Sequence, residues 1–211
     1  MTIDITELGA VGDGKTVNTL SVQKAVDLCS GEGGGTVFIP KGVYLCGTIF
    51  LKSNVTLEIA AGGILKADPD IRDYREEVHH NRYRNEEALD RCFIYAENQE
   101  NIHIAGNGEI NGSAEAFPNE GSIYRPMMFR FLRCRNIRME QVKLYQSAAW
   151  TAAFLDSSYI WVSGVHIFND KKYNGDGLDF DGCEHVFVEG CSISGTDDNL
   201  CLQSSSRRYP V

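Results

Sequence analysis

Asn54-Val55-Thr56-Leu57, Asn101-Ile102-His103-Ile104 and Asn136-Ile137-Arg138-Met139 share one pattern, a polar residue and then apolar residues at alternate positions. Tyr159-Ile160-Trp161-Val162 and His185-Val186-Phe187-Val188 are looser copies. Alternation with a period of two marks a half-buried strand. Aligned on the second residue, the copies put Val55, Ile102, Ile137, Ile160 and Val186 in one column, with gaps of 47, 35, 23 and 26. The last two gaps read as one coil each, 35 as a coil with an inserted loop, and 47 as about two coils. A period in the low twenties, with several short strands per repeat and no helical periodicity, predicts an all-β solenoid. Each coil buries alternate side chains and stacks on the next, so no coil is stable alone. The Asn that opens each repeat can stack its amide on the next as a hydrogen-bonded ladder.

Outward from the repeats the chain stays consistent with one domain over residues 1–211. Near the start, Gly12-Asp13-Gly14 is a turn, and Asn18 or Thr19 can cap a helix whose apolar face is Val22, Ala25, Val26 and Cys29. This short helix would close the N-terminal end of the solenoid. Gly33-Gly34-Gly35 follows a helix and lacks the Lys-Ser/Thr of a phosphate loop, so it reads as a terminator. Strands then run through Thr36–Pro40 and Val43–Leu51. Two polar stretches, residues 67–91 and 113–126, interrupt the repeat and could rim a groove. The first carries His79-His80-Asn81-Arg82-Tyr83-Arg84 and could close one end of it, favouring attack at chain ends. Trp150 reads as core, while Trp161 falls at an outward position.

The chemistry concentrates in Asn174-Gly175-Asp176-Gly177-Leu178-Asp179-Phe180 and Thr196-Asp197-Asp198-Asn199-Leu200-Cys201-Leu202-Gln203. Asp176 and Asp197 are 21 residues apart, about one coil. Neighbouring strands lie roughly 4.8 Å apart, so Asp176 would hang over the Asp197–Asp198 doublet. Like charges that close push one pKa up. A protonated acid beside an ionised base is what glycoside hydrolysis uses. Alternation turns Leu178 and Phe180 inward and Asp179 outward.

Composition sets limits. The net charge of −9 disfavours nucleic-acid binding, which needs a basic face, and means that an acidic glycan would need local Arg or Lys. No run of 18 apolar residues offers a membrane span. No apolar segment follows Met1, so the expectation is a cytoplasmic protein, or a secreted one if the start has been trimmed. Seven cysteines, none in CxxC spacing, suggest free buried thiols rather than zinc or a disulfide framework. Neither a metal nor a cofactor is expected.

With these residues in view, the chain resembles the polygalacturonase-like glycoside hydrolases of family 28, pectin-degrading right-handed parallel β-helix enzymes. The likeness runs through Gly9-Ala10-Val11-Gly12-Asp13-Gly14, Pro40-Lys41-Gly42-Val43-Tyr44, Gly106-Asn107-Gly108-Glu109-Ile110-Asn111-Gly112 and the coil of Trp150. The family's Asn-Thr-Asp-Gly appears as Asn174-Gly175-Asp176-Gly177, and its Gly-Asp-Asp as Thr196-Asp197-Asp198. The resemblance implies a right-handed parallel β-helix that inverts the anomeric centre of α-linked galacturonate chains. Asp197 would be the general acid, and Asp176 and Asp198 would hold and deprotonate the water. Asp179 would be a supporting carboxylate beside them, and Asn174 and Gln203 are further candidates for substrate contact. Arg207 and Arg208, the only nearby basic pair, are candidates to hold a uronate carboxylate, with a solvated turn as the alternative. Gly175 and Thr196 depart from the motifs, and Gln203 stands where a Lys is usual. The family's later Gly-His-Gly and Arg-Ile-Lys motifs are absent, so the expectation is a chain truncated after the catalytic coil. Its open end could self-associate. Two other readings fit the same residues: a non-catalytic carbohydrate-binding or structural β-helix, and a Ca-dependent pectate-lyase-like enzyme.

Overall fold

A computed structural model of the chain describes residues 1–75, 91–118 and 124–204. The described strands form three parallel sheets of seven, seven and six strands, each coil after the first contributing one strand to each sheet. The coils wind as a right-handed parallel β-helix, the hand that crossovers between parallel strands take. The first sheet runs from Thr2–Asp4 through Gly35–Ile39, Val55–Ile59, Glu100–Ala105, Arg135–Glu140 and Ser158–Ser163 to Glu184–Glu189. The second runs from Asp13–Val17 to Ser192–Ser194 and the third from Ile49–Phe50 to Leu200–Gln203.

The repeat column holds in register. Ile102 pairs with Ile137, Ile137 with Ile160, and Ile160 with Val186. One gap needs correction. Val55–Ile59 pairs directly with Glu100–Ala105, so the 47-residue gap is a single coil carrying a long insertion and not two coils. Val43–Leu51 is likewise two strands, Gly42–Cys46 and Ile49–Phe50, in different sheets.

The Asn ladder forms at left-handed turn positions. Asn101 Nδ2 donates to Asn54 Oδ1 at 2.7 Å, and Asn136 Nδ2 donates to Asn101 Oδ1 at 2.7 Å. Tyr159 and His185 continue the column as stacked rings with centroids 4.5 Å apart, and all five residues have φ between 54° and 64°. Asn tolerates that region because its side chain bonds locally.

The interior is packed mainly with apolar side chains. Phe131, Phe154 and Phe180 stack along the axis at 5.1 and 5.0 Å, an aromatic column that ends on the strand following Asp176. The helix Thr19–Gly31 covers the N-terminal end with the expected face of Val22, Ala25, Val26 and Cys29. Its cap differs from expectation: the Asn18 side chain accepts from Val11 N–H at 2.7 Å and donates to Thr16 O at 2.6 Å, bracing the preceding turn and leaving the helix start alone. The last described coil exposes the inward-facing Val188, Leu200 and Leu202. All seven cysteines are free, and burial pushes the Cys92 thiol up to about 12. Among the described residues no helix is long and apolar enough to cross a membrane.

Candidate active site

The second sheet passes to the third through loops that differ in length from coil to coil, and two of these loops carry the acids. Residues 169–177 join His166–Phe168 to Leu178–Asp181, and residues 195–199 join Ser192–Ser194 to Leu200–Gln203. Leu178 pairs with Leu200, so one coil here is 22 residues and Asp176 lies in register with Asp198. The loops are stitched by backbone bonds: Gly177 N–H donates to Asp198 O at 2.9 Å and Thr196 N–H to Gly175 O at 3.2 Å. A Cβ on Gly177 would run into the Asn199 carbonyl oxygen, so only glycine permits this approach.

The two departures from the family motifs meet in the structure. Thr196 Oγ1 accepts from Gly175 N–H at 3.0 Å and donates to Lys172 O. A Cβ on Gly175 would lie 2.6 Å from that hydroxyl. The absence of a side chain at Gly175 leaves the room that the Thr196 hydroxyl fills. Asn169 is buried and ties the first of these loops to the preceding coil: Nδ2 donates to Thr151 Oγ1 at 2.7 Å and to Gly175 O at 3.2 Å, while Oδ1 accepts from Ser147 N–H at 2.8 Å.

On this scaffold Asp176, Asp197 and Asp198 converge. One carboxylate oxygen from each lies within 4.8 Å of the others, with Asp176 buried and the doublet exposed. Asn174 joins the group, its Nδ2 donating to Asp197 Oδ2 at 3.3 Å, and Asp198 N–H donates to Asp197 Oδ1 at 3.1 Å.

Asp179 faces outward as alternation requires but is not exposed, with only 4% of its surface accessible. On the outer face of the third sheet it continues the row Phe50, Tyr95, Arg130 and Ala153, and Trp150 is buried on that same side with Cys92, Tyr95, Met127, Ala149 and Ala153. Trp150 is therefore buried as expected, but outside the solenoid's interior. Burial, then the charges of Asp176, Asp198 and Asp197, push the Asp179 carboxyl up to about 8. At neutral pH it is largely protonated, so it adds little negative charge to the other three.

Gln203 does not join the acids by any bond of its own; Nε2 reaches Cys201 Sγ at 3.2 Å. Arg207 and Arg208, and the His79–Arg84 stretch, lie outside the described residues. Trp161 stacks on Phe187 at 5.4 Å on the outside of the first sheet, under the Arg138 guanidinium. Sequence reasoning gave no role to two buried arginines, Arg125 and Arg130. It expected residues 67–91 and 113–126 to rim a groove, and Pro69, Ser113, Ala114, Glu115 and Ala116 do line a cleft. This cleft, about 440 Å³, is lined by Lys66, Asn111, Ser113, Glu115, Gln146 and Lys171 among others. It occupies the same edge of the solenoid, in coils toward the N-terminus.

The family model of the glycosyl hydrolases family 28 matches residues 29–209. This chain belongs to that family. An exopolygalacturonase of Zea mays is 33% identical over 201 residues, covering 93% of this chain and 41% of the relative. A sequence of Vitis vinifera named a probable polygalacturonase is 28% identical, covering 98% and 45%. The crystal structure of a hyperthermoactive exopolygalacturonase from Thermotoga maritima superposes with a TM-score of 0.83 at 27% identity, covering 97% of this chain and 55% of that one. The chain thus spans about half the length of the family 28 proteins it matches.

Proposed function

We propose that this chain hydrolyses α-linked galacturonate (pectic) poly- or oligosaccharides by direct displacement with water. The observation that carries the reading is the meeting of Asp176, Asp197 and Asp198 at an open edge of the solenoid. In this reading Asp197, exposed toward the substrate, protonates the leaving glycosidic oxygen. Asp176 and Asp198, in register on adjacent coils, hold the water and take its proton. Two carboxylates sharing one water polarise it more strongly than either alone.

Nearest oxygens within 4.8 Å are closer than the ~6.5–9.5 Å that commonly separates an inverting pair. That rule describes two facing carboxylates with the water between them. In the proposed arrangement a third carboxylate holds the water between Asp176 and Asp198, to one side of the acid; because retaining pairs stand about 5–5.5 Å apart, the anomer first released decides between the two outcomes.

A uronate chain approaching a protein of charge −9 needs local positive charge. Lys66 offers it in the cleft, where Lys171 is already balanced by Asp170 at 3.2 Å and Glu115 at 3.5 Å. Incubation with defined oligogalacturonides, scored for reducing ends and for unsaturated products, tests the assignment. New reducing ends with saturated products support hydrolysis. Unsaturated products that depend on calcium indicate a lyase, and binding without cleavage indicates a carbohydrate-binding β-helix.

A further inference from the structure

Arg125 precedes the strand Met127–Leu132 and is 1% exposed. An arginine this buried must place its N–H groups on acceptors, because it has only donors to offer. Nη1 donates to Ala148 O at 3.0 Å and to Tyr173 O at 2.8 Å, carbonyls 23 and 48 residues along the chain. Nη2 donates to Asn174 Oδ1 at 3.4 Å, and the guanidinium lies over the Tyr173 ring at 3.9 Å. One side chain thus ties its own coil to the next two and ends on the loop that carries Asp176.

The direction of these bonds matters. A guanidinium cannot accept, so Asn174 must present its carbonyl oxygen to Arg125 and turn its NH₂ the other way. That NH₂ meets Asp197 Oδ2 at 3.3 Å. Asn174 itself sits in the left-handed region at φ 52°, a position that needs support from its surroundings.

We infer that Arg125 is a positioning residue for the acid: it fixes the orientation of the Asn174 amide, and through it the carboxyl of Asp197. The inference rests on the catalytic reading of Asp197 but makes a claim that can be read without turnover. Arg125 does not touch the reacting atoms. Its fork is what the role requires, since one donor must hold the Tyr173 carbonyl while another holds Asn174. A lysine in its place keeps the charge but is a single point donor and cannot do both.

The test compares Arg125→Lys, Arg125→Gln, Asn174→Ala and the Arg125→Gln/Asn174→Ala double variant with the wild type. The measurements are kcat and KM on oligogalacturonide, the unfolding midpoint, and the Asn174 side-chain amide resonances by NMR. Displacement of a catalytic group by about 1 Å costs roughly 10²-fold in rate, so each single variant should lose on that order in kcat with KM little changed. The double variant should fall no further than the worse single one, because both break the same chain of bonds. Arg125→Lys should not rescue, and the Asn174 amide signals should shift in both Arg125 variants although the protein stays folded. Multiplying losses in the double variant, a kcat loss that follows the unfolding midpoint, or Asn174 signals unchanged in folded Arg125→Lys would each overturn the inference. If the wild type cleaves nothing, the amide signals still decide whether Arg125 orients Asn174, and the proposed hydrolysis fails separately.

Discussion

The two edges of this solenoid solve the same problem differently. Where the third sheet turns into the first, four successive coils turn alike: Asn98, Arg133, Asp156 and Gly182 all adopt φ near 50–60°, and the N–H of each donates to the carbonyl one coil on, at 2.8–3.1 Å. The Asn54–Asn101–Asn136 ladder stands at the start of three consecutive first-sheet strands. Where the second sheet turns into the third, no two connections have the same length, and they run from the two residues of 47–48, through the five of 195–199, to the long connection at 68–91. The first edge is a ruler that sets the coil spacing. The second is free to vary because the ruler holds the spacing, and it is there that three carboxylates meet. Buried repetition supplies the stability, while variation at the free edge supplies the chemistry.

Substitutions should therefore separate the two edges. The largest effect is expected from Asp197→Asn, which removes a proton donor without altering a packed contact. General acid catalysis contributes about 10²–10⁴-fold, so kcat on oligogalacturonide should fall by that factor while the unfolding midpoint stays put. Next comes Asp179. Its pKa of about 8 in the folded chain lies above the ~3.9 of an unfolded Asp. Between those values the native state keeps a proton that the unfolded chain has released. Stability therefore falls as pH rises from about 4 to 8, by at most ~1.4 kcal/mol per pH unit. Asp179→Asn has no proton to lose, so its melting temperature relative to wild type should climb between pH 5 and pH 8; a constant difference would show that Asp179 is ionised throughout.

Gly175→Thr should be smaller and conditional. It forces a side chain against Thr196 and should cost about 1–3 kcal/mol by denaturant unfolding. Adding Thr196→Gly should recover most of that loss, because the hydroxyl then sits on the opposite loop. On the regular edge, Asn101→Gly keeps the positive φ but removes one rung of the ladder. A loss of about 1 kcal/mol is expected, with kcat unchanged; a large loss of kcat instead would show that the two edges are not independent.

What the sequence revealed follows the same division. The column from Val55 to Val186 could be read because its apolar residues alternate and recur, and the structure keeps that register through every pairing. The convergence of Asp176 with the doublet could be read because one coil separates them. Chain length alone could not say whether the 47 residues between Val55 and Ile102 make two coils or one coil with an insertion, since both bring the strand back to the same column. Alternation gave the side on which Asp179 stands but not what covers it. Arg125 left no local trace, because its partners lie 23, 48 and 49 residues away and meet it only after the coils stack.

The central claim is that three acids gathered on the variable edge deliver water directly to the anomeric carbon. The most direct measurement follows the anomer first released from an oligogalacturonide by proton NMR, before mutarotation blurs it. Direct displacement at an α-linkage predicts that the β-anomer appears first. Initial release of the α-anomer would mean a covalent intermediate, and would contradict the assignment of Asp176 and Asp198 to a shared water.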